Sequence, residues 1–125
     1  MQLSEVHKEI LVECASDDVG LWEIIARVNH EGYSKFDILP GVREKTLEII
    51  RDLLSAGLVY AGFPRNDGKN FEISPMSPNQ TMKHIESEWD KLGHMPTLGD
   101  IIWFRATPNG KKIATEIQKK SAVET

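Results

Sequence analysis

The chain has 125 residues, of which 40% are hydrophobic and 27% charged, with a net charge of −4 and a pI near 5.5. That length and balance fit a single globular domain, residues 1–125, that buries its own core, and they exclude a disordered chain. No uncharged apolar run approaches the roughly 18–20 residues of a membrane span, the charged start is unlike a signal peptide, and a lone Cys14 has no partner for a disulfide, so a cytoplasmic protein is expected.

Leu3, Val6, Ile10, Leu11 and Cys14 recur at spacings of three and four, which predicts a helix over residues 3–14. Ser16-Asp17-Asp18 then offers side-chain acceptors and negative charge to the start of a second helix. That helix carries Leu21, Trp22, Ile24, Ile25 and Val28 and should stop near Asn29-His30-Glu31-Gly32. Tyr33 to Gly41 reads as a loop with Phe36, Ile38 and Leu39 turned inward.

A third helix runs from Val42 through Thr46, Ile49, Ile50, Leu53 and Leu54, with Arg43, Glu44, Lys45, Glu48, Arg51 and Asp52 on its other face. Gly57 can take the left-handed conformation that ends it, with Leu58 folding back on the last turn. Residues 58–63 have strand character, Asp67-Gly68 is a strong hairpin dipeptide, and Phe71-Glu72-Ile73 returns as a short strand. Ser77-Pro78-Asn79-Gln80 combines an N-cap, a proline at the first helical position and a capping-box glutamine. The helix it opens carries Met82, Ile85, Trp89 and Leu92 on one face and ends at Gly93. Ile101 to Ala106 is the strongest strand pattern. Thr107-Pro108-Asn109 opens a last helix with Ile113, Ala114 and Ile117, and Ser121 to Thr125 is expected to fray.

Three helices followed by a strand pair is the order of the winged helix-turn-helix superfamily. The stretch Thr46-Leu47-Glu48-Ile49-Ile50-Arg51-Asp52-Leu53-Leu54-Ser55-Ala56-Gly57-Leu58-Val59 resembles that superfamily's third helix running into the first wing strand. Trp103-Phe104-Arg105-Ala106-Thr107-Pro108-Asn109-Gly110-Lys111-Lys112 resembles the strand, turn and helix that close many wings. The resemblance implies an α+β, winged-helix-like fold, with a three-helix core, a small antiparallel β-wing and additional C-terminal helices. Residues 64–100 would then be an insertion within the wing or a separate subdomain. In DNA-binding members the third helix enters the major groove and the wing reaches phosphates, which by position implicates Arg43, Lys45, Arg51, Arg65 and Lys69. Here Glu44, Glu48 and Asp52 interleave with them, and the helix has no Asn or Gln to read adenine.

Charge is uneven along the chain. Residues 1–40 hold three basic and eight acidic side chains, and residues 101–125 hold five basic and two acidic. An acidic N-terminal third repels phosphate and favours a basic partner.

Catalytic patterns are weak. Cys14 lies on an apolar stripe and reads as a small buried hydrophobe. His84 and Glu88, one turn apart, supply two ligands and no third, while His7 and His94 are isolated. Asn109-Gly110-Lys111-Lys112 lacks phosphate-loop spacing, and no Ser-His-Asp set is evident, so no catalytic residue, metal or cofactor is expected. Trp22 and Trp89 fall on apolar helical stripes. Trp103 and Phe104 must point to opposite faces of a strand, so one of them meets a second layer or stands exposed as a binding anchor.

The function expected from these features is a small non-catalytic module of the immunity or antitoxin kind. It would neutralise a basic protein such as a nuclease toxin through Glu9, Glu13, Asp17, Asp18 and Glu23. The alternative is a winged-helix DNA-binding transcriptional regulator.

Overall fold

In a computed structural model, residues 3–29, 40–65, 70–94, 96 and 101–124 are described. Among the described residues five helices and four short strands follow one another: α1 (Glu5–Ser16), β1 (Val19–Gly20), α2 (Leu21–Val28), α3 (Val42–Ser55), β2 (Val59–Pro64), β3 (Phe71–Ile73), α4 (Pro78–Leu92), β4 (Trp103–Ala106) and α5 (Pro108–Glu124). The class is α+β, and no described helix is long and apolar enough to cross a membrane.

Local chemistry places most of the helix ends. At α4, Ser77 Oγ accepts the N–H of Gln80 (3.2 Å) and Gln80 Oε1 accepts the N–H of Ser77 (2.9 Å), with Pro78 in the first turn. α3 ends as the glycine predicts. Gly57 has φ +71°, and the N–H of Leu58 reaches back to the carbonyl of Leu53 (3.0 Å). α5 opens at Thr107, whose Oγ1 accepts the N–H of Gly110 (2.9 Å) and donates to the carbonyl of Gly57 (2.7 Å). It continues through Glu124, where fraying from Ser121 was expected.

One sequence expectation fails between the first two helices. Asp17 and Asp18 do not cap α2; its N-cap is Gly20. The chain between the helices is extended, and Val19–Gly20 forms a two-residue strand that the sequence does not announce. The inward loop expected for Phe36, Ile38 and Leu39, the end expected at Gly32 and the Asp67-Gly68 turn lie outside the described residues.

The strands form one antiparallel sheet in the order β1-β4-β2-β3. β4 pairs with β1 (Val19↔Phe104, Gly20↔Trp103) and with β2 (Val59↔Ala106, Ala61↔Phe104, Gly62↔Trp103). Alternation along paired strands sorts the side chains by face. Val19, Val59, Ala61, Phe104 and Ala106 share one face and are buried in the same cluster as Ile10 and Leu11 of α1, Ile24 of α2, Ile49 and Leu53 of α3, Ile85 of α4 and Ala114 of α5. Tyr60, Trp103, Arg105, Phe71 and Ile73 share the opposite face and are half-buried or exposed.

Candidate protein-binding surface

Most of the carboxylates expected to form an acidic face already have partners. Arg27 of α2 reaches across to α1, contacting Glu13 and lying 3.9 Å from Glu9. Asp18, just before β1, holds Arg105 of β4 through two bonds, Nε to Oδ1 at 2.6 Å and Nη2 to Oδ2 at 3.0 Å. Asp17 Oδ1 accepts the N–H of Asp18 (2.8 Å), and the Asp17 side chain is exposed. Glu23 Oε2 accepts the N–H of Gly20 (3.3 Å), and no cation is paired with it among the described residues. Partial burial pushes the Glu23 carboxyl up from its ordinary value, more than the Gly20 bond pulls it down.

Between α1 and α2 these side chains wall a groove of ≈ 390 Å³ lined by Glu13, Trp22, Glu23, Ala26 and Arg27. Trp22 is half-buried there and is not the core residue its stripe suggests. The pyrrole edge of its ring lies over Gly20, where an added Cβ would come within 2.9 Å of Cδ1. Its Nε1–H is shut off from solvent without an acceptor. Beneath the groove the Cys14 thiol is buried as expected, and burial, with Glu23 and Asp18 nearby, raises its pKa to about 12. A thiol so disfavoured as thiolate is not a nucleophile at neutral pH.

The basic candidates do not assemble. Arg43 is turned toward α4, with Nη1 2.8 Å from Asp90 and its guanidinium 5.1 Å over the Trp89 ring. Lys45 pairs with Glu48 (3.5 Å) along α3. Arg51 and Arg65 are exposed, and Lys69 lies outside the described residues. The exposed charges of α3 are Glu44, Lys45, Glu48 and Arg51, two of each sign. The sequence alone could not show that α4 would take up Arg43.

Of the adjacent aromatics on β4, Phe104 is the buried one and Trp103 the half-exposed one. Trp103 shares the outer sheet face with Tyr60 and Phe71, and Arg105 lies 5.0 Å over the Phe71 ring. Ile73 is 51% exposed on that face and Phe63, on the other, 47%. Tryptophan, tyrosine and arginine are the residues that anchor protein interfaces. This face adjoins the α1–α2 groove where Trp22 and Trp103 both approach Gly20.

One constellation was missed. His7 is buried, its Nε2–H donates to Asp52 Oδ2 of α3 (2.9 Å), and its Nδ1 accepts from Ser4 Oγ (2.6 Å) and from the Ser4 N–H (3.2 Å). A serine, a histidine and an aspartate are thus in line, but Ser4 Oγ also accepts the His7 N–H (3.3 Å), which makes the set a capping box for α1 tied to α3. Among the described residues no group of three His, Cys, Asp or Glu side chains could hold a metal ion. No protein family, curated protein or solved structure matches the chain.

Proposed function

We propose that this protein is a non-catalytic, cytoplasmic protein-binding module on a winged-helix scaffold, an immunity- or antitoxin-type neutraliser of a basic partner such as a nuclease. The observation that carries this reading is the contrast between two surfaces. From Ser4 to Asn29 six carboxylates share the segment with only two cations, Lys8 and Arg27, and Arg105 of β4 neutralises one of the six, Asp18, whereas the exposed part of α3 is charge-balanced and Arg43 is held by α4. An acidic surface steers a basic partner and repels phosphate. The strand order supports the scaffold: β2 and β4 pair directly, as wing strands do, although β3, on the outer edge of β2, and α4 fall between them in sequence.

The test is a tagged pull-down from host lysate with and without nuclease, read by mass spectrometry. The expected result is a stoichiometric basic protein that survives nuclease and is lost when Glu9, Glu13, Asp17 and Glu23 are all reversed to lysine. Capture unchanged by that reversal at low salt overturns the acidic-face reading. The DNA-binding regulator is kept as a second reading by Arg51 and Arg65, which are exposed and have no ion pair among the described residues. It predicts steeply salt-dependent DNA retardation that is lost with R51A and R65A.

A further inference from the structure

We infer that the α1–α2 groove is a receptor for an arginine side chain of the protein partner, stacked on Trp22 and held by Glu23. The inference rests on the protein-binding reading and names the chemistry of its contact.

The chain itself shows the arrangement twice. Arg43 lies over Trp89 and pairs with Asp90, an aromatic and an acid adjacent on α4. Arg105 lies over Phe71 and pairs with Asp18. Trp22 and Glu23 are likewise an adjacent aromatic and acid on a helix, α2, and they line an open groove. This third pair has no arginine. Arg27, the basic side chain lining the groove, is taken by Glu13 and Glu9 of α1, and neither Trp22 nor Glu23 has a cation against it among the described residues.

Guanidinium fits this site better than ammonium. It is planar, stacks on an indole face and offers paired donors to a carboxylate. The Glu23 carboxylate has one recorded donor, the Gly20 N–H, and so keeps acceptor capacity for two more. Charge is complementary as well, since Glu9, Glu13 and Glu23 around the groove face only Arg27. An arriving arginine would also meet the exposed Ala26, whose small side chain leaves the groove open.

The test is titration of the intact protein with N-acetyl-arginine-amide, with the lysine and citrulline analogues as comparators, followed through the ¹H–¹⁵N resonance of the Trp22 indole. The expected result is a saturable shift with the arginine compound and binding about fivefold weaker with the lysine one. Citrulline, equal in shape but uncharged, should give no saturable shift. Glu23→Gln should abolish the response. Ala26→Leu should abolish it too by filling the groove, with the circular dichroism unchanged to show that the fold is intact. Glu116→Gln, on α5, should leave it unaltered. Equal shifts with citrulline, or an undiminished response in either Glu23→Gln or Ala26→Leu, would overturn the slot. Its failure is separable from that of the wider reading. A partner captured equally by wild type and Glu23→Gln removes the slot and leaves a protein-binding module. Capture that disappears with nuclease removes the module, whatever the titration gives.

Discussion

Arg105 of β4 and Asp18 meet in a two-point ion pair, Nε to Oδ1 at 2.6 Å and Nη2 to Oδ2 at 3.0 Å, across 87 residues of sequence. The pair ties the edge strand β1 to the sheet at a place where only two residues make the backbone ladder. The side chains are 29% and 14% exposed, so losing one partner strands a largely desolvated charge.

Asp18→Ala is therefore expected to cost about 1–3 kcal/mol in urea unfolding. Arg105→Lys should lose part of that, because an ammonium keeps the charge but not the fork. A lysine variant as stable as wild type would show that the two-point geometry contributes nothing.

Glu23 gives a pH signature whose sign can be worked out. Its carboxyl is raised above 4.5 in the folded chain, mainly by burial, so the folded state holds its proton to higher pH than the unfolded one. Stability from this group is then present below its unfolded value and is lost as pH rises through the folded value. Glu23→Gln removes the penalty while its amide oxygen can still accept the Gly20 N–H. The variant should exceed wild type at pH 7, and the difference should close under acid, where the Glu23 carboxyl is itself neutral. Thermal melts across pH 3–7 would show parallel curves if burial of the charge has no consequence.

Thr46 is fully buried on α3, and its Oγ1 has no hydrogen-bond partner. A hydroxyl taken out of water without compensation costs about 1–3 kcal/mol, and valine has nearly the same shape and the same branching. Thr46→Val should raise the urea midpoint by the equivalent of about 1 kcal/mol. Unchanged or lowered stability would mean that the hydroxyl is satisfied in solution.

What was legible in the sequence is what the chain decides within a few residues. Ser77, Pro78 and Gln80 announce the start of α4 because cap and partner lie one turn apart, and Gly57 announces the end of α3 because only a residue tolerant of positive φ fits there. The wide stripe of α3 was legible for the same reason. The strand β1 was not, since two residues carry no period and their partner β4 arrives more than eighty residues later. Asp17 and Asp18 look like a helix cap by local rules, yet a distant arginine claims Asp18, and tertiary pairing outweighs a cap worth about 1 kcal/mol. The candidate site suffered likewise. Its carboxylates could be named, but which were already neutralised depended on Arg27 and Arg105 reaching them from other elements.

The chain Ser4–His7–Asp52 gives the last test, because its members should act as a unit. His7 holds the first turn of α1 through Ser4 and fastens it to α3 through Asp52. His7 is 5% exposed, so His7→Leu fills the same space while leaving the Ser4 N–H without its acceptor and Asp52 without its donor. A loss of about 1–3 kcal/mol is expected for that variant, and about 1 kcal/mol for Ser4→Ala. Since both remove the bond between Ser4 Oγ and His7 Nδ1, the double variant should lose less than the two losses combined. Urea unfolding of all four proteins decides it. Losses that add to within about 0.3 kcal/mol would mean that cap and clamp are independent, and that the imidazole stabilises α1 only by its bulk.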